Sequence, residues 1–136
     1  MNKKFIFFSK LSLILVLFVI LAGSLVRMTG SGMGCPDWPK CFGYLIPPTN
    51  ISQIEWKPNT EFKKGIIVRF DGNLIYAKKD FKTYNSIDLN NWENYTKHNY
   101  SDFDPIKTWI EFLNRLLGVI AGLATLLMLF FSFSYW

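Results

Sequence analysis

Residues 26–43, VRMTGSGMGCPDWPKCFG, form the stretch in which an apolar run gives way to glycines, prolines and the two cysteines of the chain. A phosphate-binding loop would need a strand before its glycines and a helix directly after them. Here Gly30-x-Gly32-x-Gly34 follows an apolar run and continues into Cys35-Pro36. Nucleotide binding is therefore excluded, and a tight turn at the end of a helix is favoured.

Apolar residues are concentrated at the two ends of the 136-residue chain, and no charged residue occurs in 11–26 or in 116–136. A bilayer core about 30 Å thick is crossed by roughly 20 helical residues, so each run can span it. We therefore predict an all-α integral membrane protein. Its two transmembrane helices, 11–27 and 108–136, are joined by the long loop 28–107.

Most of the net charge of +5 comes from four basic residues that flank the first apolar run, Lys3, Lys4, Lys10 and Arg27. Lysines ahead of a first span keep the N-terminus in the cytoplasm. We predict a multi-pass protein of the bacterial inner membrane, with residues 1–10 in the cytoplasm and 28–107 outside. This loop carries ten basic against nine acidic residues, so nucleic-acid binding is excluded.

Residues 66–77, IIVRFDGNLIYA, form a stretch with apolar residues on both sides of a central Asp-Gly-Asn. The two halves of this stretch read as short strands that meet at Asp71-Gly72-Asn73. Asp-Gly is a strong signal for a tight turn between antiparallel strands. We therefore predict a hairpin within the loop.

The second long helix is predicted to begin near Thr108. Thr108 followed three residues later by Glu111 has the pattern of a capping box, in which the threonine is the N-cap. Farther along the helix, Gly118-x-x-x-Gly122 offers a smooth face for close packing of another helix.

Cys35 and Cys41 enclose five residues, and Pro36 and Pro39 among them restrict the backbone so that the two sulfurs can approach. A structural zinc site would need four ligands, and the loop offers only His98 in addition. A Cys-x-x-Cys redox motif is absent. A purely structural disulfide and a redox-active one both remain open.

Three polar residues, Glu111, Asn114 and Arg115, lie where the second apolar run begins. Ionisable groups at membrane depth are costly and commonly functional. At a spacing of four residues, Glu111 and Arg115 can equally form an ion pair in the interface, and both interpretations stay open. Arg27 lies at the same outer depth, where a cation can either reach lipid head groups or hold a carboxylate of a ligand.

The sequence resembles the heme A synthase family in the blocks GSLVRMTGSGMGC (23–35) and WIEFLNRLLG (109–118), and in its two-cysteine loop. The continuation WPKCFG (38–43) and the approach NNWENYTKHNYSDFD (90–104) resemble Bacteroidetes-type members. The resemblance covers essentially the whole chain. It implies that the chain is the N-terminal quarter to third of such a protein, which agrees with an apolar run that ends without a basic flank.

The resemblance implies an eight-helix membrane oxidoreductase built from two four-helix halves. The family converts heme O to heme A by oxidising a porphyrin methyl group to formyl, for cytochrome oxidase assembly. Heme B would be the cofactor in the C-terminal half, and heme O the substrate in the N-terminal half. Implied partners are membrane lipid, heme O synthase or other assembly factors, and another copy of the protein. The present chain alone is expected to be inactive.

By the same resemblance, Glu111 matches the acidic residue near the substrate heme and is the candidate catalytic residue. The two cysteines match a loop pair that some members carry as a disulfide, for electron transfer. Arg27, Asn114 and Arg115 are candidate heme-binding residues. Asn114 replaces the histidine of the family motif Glu-x-x-His-Arg, and asparagine is a poor ligand for heme iron. No metal site is predicted within this chain.

Two alternatives come from other classes of protein. One is a bitopic membrane protein whose outer loop binds a partner or relays thiols and disulfides, without catalysis. The other is a secreted domain with a C-terminal anchor and a leader cleaved near Ala22-Gly23-Ser24. Because the apolar run continues through Leu25 and Val26, we favour a retained helix.

Overall fold

The computed structural model describes residues 3–96 and 103–133. The chain divides into two compact units, which we call the helical unit (Met1–Gly32 and Ile110–Trp136) and the loop unit (Met33–Trp109). His98, the only histidine, lies outside the described residues, as do the last three residues of the predicted second span.

Two long helices, α1 (Lys3–Thr29) and α2 (Pro105–Phe133), dominate the helical unit. Both are long and apolar enough to cross a membrane. At 1.5 Å per residue each measures roughly 40 Å. The large apolar side chains of α1 are mostly exposed, for example Leu13, Leu17 and Leu21. Such exposure is unfavourable in water and is expected in lipid.

Both helices begin earlier than the sequence analysis predicts. α1 starts at Lys3 and not at Leu11, because residues 3–10 contain neither glycine nor proline and the charge of Lys10 does not interrupt a helix. Residues 3–10 are therefore helical, and their position in the cytoplasm stays a prediction.

The start of α2 is capped by Asp104 and not by Thr108. Asp104 Oδ1 accepts a hydrogen bond from the backbone N–H of Ile106 at 2.9 Å, and Pro105 occupies the first helical position. Proline suits that position because its fixed φ is helical and its missing N–H would have had no partner there. The predicted capping box of Thr108 with Glu111 is wrong, since Thr108 already lies inside the first turn.

Contacts between α1 and α2 run in antiparallel order. The rings of Phe8 and Phe131 stack with centroids 5.4 Å apart. Toward the other end, a Cβ added at Gly23 would lie 4.0 Å from Asn114 Oδ1. The N-terminal part of α1 therefore contacts the C-terminal part of α2, and the C-terminal part of α1 contacts the N-terminal part of α2.

The glycines of α2 do not make the contact with α1. A Cβ added at Gly118 or Gly122 would meet nothing within 4 Å among the described residues. The buried small residues of this helix are Ala121 and Ala124. The packing of another helix on the glycine face stays a prediction.

The described residues of the loop unit form five short antiparallel strands: β1 (Glu61–Phe62), β2 (Ile67–Phe70), β3 (Asn73–Ala77), β4 (Phe81–Lys82) and β5 (Trp92–Asn94). β1 pairs with β4, and a second sheet has the order β2-β3-β5. The all-α class therefore applies to the two long helices alone. The loop adopts strands because it is rich in aromatic and β-branched residues.

β2 and β3 form the hairpin where the sequence predicts it. Asp71 and Gly72 both have positive φ, 49° and 79°. Two consecutive left-handed residues are what a tight hairpin turn of type I′ requires. The register pairs Phe70 with Asn73 across the turn.

An aromatic cluster forms the centre of the loop unit. Trp92 on β5 packs edge-on against Phe62 and Phe81, with ring centroids 5.2 and 5.1 Å apart. Val68 and Ile75 add fully or nearly fully buried aliphatic side chains. Tyr44, three residues after Cys41, packs against this core.

Candidate functional site

Cys35 and Cys41 are joined in a disulfide, with their Cα atoms 4.9 Å apart. Both are almost completely buried, with 2% and 0% of their surface exposed. The cysteine pair expected from the sequence is thus confirmed as a disulfide. We call residues 34–44 the cysteine loop.

Side-chain and backbone bonds hold the cysteine loop in one conformation. Asp37 Oδ2 accepts a hydrogen bond from the N–H of Gly43 at 2.9 Å. Cys41 and Tyr44 exchange two backbone hydrogen bonds of 2.8 and 3.1 Å. Gly43 has a φ of 80°, and a Cβ there would lie 2.4 Å from the carbonyl oxygen of Gly65. Only glycine fits this position.

Tyr44 closes the cysteine loop against the rest of the loop unit. Its hydroxyl donates to the carbonyl of Gln53 at 3.3 Å. Burial raises the pKa of the Tyr44 phenol above its ordinary value, because the charged form loses hydration there. The side chain is therefore neutral at physiological pH.

Glu111 and Arg115 form an ion pair one helical turn apart on α2. Glu111 is 5% exposed, so its carboxylate is desolvated and depends on that guanidinium for compensation. The ion pair considered from the sequence is present, and it is more buried than a surface pair would be. Ionisable groups at membrane depth are costly and commonly mark functional sites.

Asn114 and Arg27 occupy different surroundings. Asn114 Oδ1 is buried with no hydrogen-bond partner among the described residues, and it faces the backbone of α1 at Gly23. Arg27 is exposed in the last turn of α1. The structure thus places Asn114 at a contact between the helices, whereas Arg27 is accessible to a ligand.

The candidate residues fall in both units. Glu111, Asn114, Arg115 and Arg27 belong to the helical unit, and the disulfide belongs to the loop unit. Among residues 3–96 and 103–133 there is no group of three or more His, Cys, Asp or Glu side chains suited to a metal ion. The described residues include no histidine, so no axial heme ligand of that type is assigned to them.

Sequence reasoning missed one contact of the site. The hydroxyl of Thr108 lies 3.0 Å from the carbonyl oxygen of Gly34, although the two residues are 74 positions apart. The sequence patterns predict a helix cap at Thr108 and a tight turn at Gly34, and neither pattern indicates that the two residues are in contact. The contact ties the cysteine loop to the first turn of α2.

Cys35 and Cys41 are expected to carry no free thiol in intact protein isolated without reductant, because they are bonded to each other. Alkylation with a maleimide reagent under denaturing conditions, followed by mass measurement of the peptides that contain them, checks this. In a parallel sample treated with dithiothreitol first, both residues should be labelled. Labels on both residues in the untreated sample would contradict the disulfide and remove any redox role for the pair.

Residues 7–136 match the family COX15-CtaA, described as cytochrome oxidase assembly protein. The chain is 26% identical to the heme A synthase of Shewanella oneidensis over 117 residues, which is 86% of this chain and 24% of that protein. It is 45% identical to that of Bacillus licheniformis over 58 residues, covering 41% and 19% of the two chains. It is 58% identical to that of Shouchella clausii over 63 residues, covering 44% and 19%.

These alignments span only about a fifth to a quarter of the relatives' length. No solved structure matches the chain.

Proposed function

The chain belongs to the COX15-CtaA family of cytochrome oxidase assembly proteins, and on that premise we propose that it forms the heme O-binding side of a heme A synthase. The observation that carries the proposal is the buried ion pair of Glu111 and Arg115 on α2. A desolvated carboxylate on a helix able to cross a membrane is costly to maintain. A role for the Glu111 carboxylate in acting on a ligand would account for this cost.

The proposed reaction is oxidation of a porphyrin methyl group of heme O to the formyl group of heme A. In balance, the methyl group and one water give formyl, four protons and four electrons. Glu111 is the proposed catalytic residue, since a carboxylate can accept a proton or stabilise positive charge that develops at the methyl carbon. Arg115 is proposed to orient that carboxylate through their ion pair.

The remaining candidate residues take supporting roles in this proposal. Arg27, exposed at the end of α1, is proposed to pair with a propionate of the heme. Arg115 is the second cation proposed to bind the heme. Asn114 is proposed to contact heme only at its edge, because its oxygen faces α1 and an amide ligates iron poorly.

The disulfide is proposed to accept electrons during the oxidation, two for each reduction of the pair to thiols. Heme B is proposed as the cofactor of the complete enzyme. Because the described residues include no histidine and both cysteines are bonded to each other, no step through heme B is assigned to them.

The proposed setting is the bacterial inner membrane, with the N-terminus in the cytoplasm and the loop unit outside. Lipid surrounds the helices, and heme O synthase, other assembly factors or a second copy are the proposed protein partners. A bitopic membrane protein without catalysis, whose outer loop binds a partner or relays thiols and disulfides, is not favoured, since the chain belongs to the COX15-CtaA family.

The test is to express the intact protein, as its reading frame encodes it, in a bacterium that makes heme O but lacks heme A synthase. Hemes extracted from the membranes are separated by chromatography. A heme A peak is expected, and a vector-only strain should show only heme O and heme B. If the expressing strain also accumulates only those two, the proposed activity is wrong.

A further inference from the structure

The backbone of the cysteine loop lies directly on the first turn of α2. A Cβ added at Gly34 would lie 2.7 Å from the amide nitrogen of Thr108 and 2.8 Å from the carbonyl carbon and oxygen of Lys107. Real Cβ atoms do not approach backbone so closely, and backbone cannot move aside as a flexible side chain can. The contact therefore depends on glycine at position 34.

Thr108 completes the contact from the helix side and is fully buried. Its hydroxyl lies 3.0 Å from the carbonyl oxygen of Gly34 and 2.8 Å from that of Asp104, so it joins the cysteine loop to the helix cap. Its own carbonyl oxygen lies 3.7 Å from Cys35 Sγ. Both the side chain and the backbone of Thr108 thus contact the cysteine loop.

Other groups cover the same segment. The hydroxyl of Tyr95 donates a hydrogen bond to the carbonyl of Pro36. The ring of Phe42 packs edge-on against Phe103, with centroids 5.5 Å apart. These contacts account for the nearly complete burial of both sulfurs, and a thiolate can attack a disulfide only where a sulfur is accessible.

We propose that Gly34 and Thr108 form a clamp that shields the Cys35–Cys41 disulfide, so that its reduction requires the cysteine loop to detach from the first turn of α2. In the step itself, a thiolate of a dithiol attacks one sulfur and the S–S bond breaks. The second thiol of the reagent then displaces that sulfur. Two cysteine thiols are formed, and the dithiol is oxidised to its own disulfide.

The clamp lies within the loop unit, but its role in the reaction rests on the proposed function. If the disulfide accepts electrons from the oxidation of heme O, then Gly34 and Thr108 are positioning residues that set when it can do so. Neither touches the reacting atoms.

The test measures how fast dithiothreitol reduces the disulfide in the intact, detergent-solubilised protein, by quenching samples with a maleimide-polyethylene glycol reagent and resolving them on a gel. Thr108→Val keeps the shape of the side chain but removes the hydroxyl, and its reduction is expected to be about tenfold faster. Thr108→Ser keeps the hydroxyl and should stay near the wild-type rate. Gly34→Ala should be at least as fast as Thr108→Val.

The matched control is Gly32→Ala, since a Cβ at Gly32 would lie 3.8 Å from its nearest neighbour, Val26 Cγ1, which is ordinary contact. Its reduction rate should equal that of the wild type. In concentrated guanidinium, where no clamp exists, all variants should react alike.

A wild-type rate in both Thr108→Val and Gly34→Ala overturns the proposal, and so does a Thr108→Ser rate as high as that of Thr108→Val. Heme A yield, measured in the same strains, reports separately on the proposed function. If the variants are reduced at the wild-type rate but heme A is still formed, the clamp alone is overturned. If the variants are reduced faster but the protein makes no heme A, the enzymatic role alone is overturned.

Discussion

Glu111→Gln in the intact protein is expected to lower the rate of heme A formation by about 100-fold or more, the size of effect associated with losing a positioned acid or base. Glutamine keeps the length and shape of glutamate but can neither take a proton nor carry the compensating charge. Heme A and heme O are measured in membrane extracts, normalised to the amount of protein. Heme B content should not change, since Glu111 is not proposed to bind that cofactor.

Two further variants separate chemistry from folding. Removing one partner of a buried ion pair can itself cost about 3–5 kcal/mol, because the other charge is left uncompensated. The double variant Glu111→Gln with Arg115→Gln removes that penalty and should accumulate normally while remaining inactive. Glu61→Gln, which changes an exposed carboxylate on β1, should keep full activity. Normal heme A formation in the Glu111 variants would remove this residue from the mechanism.

Trp92→Ala is expected to lower the free energy of unfolding of the loop unit by about 3–5 kcal/mol, the usual cost of deleting a large buried aromatic side chain. Trp92 is 3% exposed and lies edge-on to both Phe62 and Phe81, so its loss leaves a cavity between the two sheets. Pulse proteolysis of the intact protein across a urea series measures the change.

Tyr84→Ala is the matched control for this measurement. Tyr84 is also an aromatic residue of the loop unit, but it is 76% exposed, and its removal should change the unfolding free energy by no more than about 0.5 kcal/mol. If Trp92→Ala and Tyr84→Ala proved equally mild, the aromatic cluster would not be the core that holds the cysteine loop.

Features that depend on neighbouring residues can be predicted from the amino-acid pattern. The two long helices follow from uncharged apolar runs of spanning length, and the hairpin follows from Asp71-Gly72 between two short apolar stretches. The spacing of Glu111 and Arg115 allowed their ion pair, because residues four apart on a helix lie on one face. In each case the regular geometry of a helix or a tight turn brings residues of a fixed spacing together.

Contacts between segments far apart in the chain could not be predicted in this way. Thr108 reads as an N-cap, yet Asp104 takes that role because Pro105 can begin the helix. The pairing of β5 with β3, and the close approach of Gly34 to Thr108, join residues far apart in the chain. No local sequence pattern signals such contacts, because they form where two surfaces pack closely and their buried polar groups form hydrogen bonds.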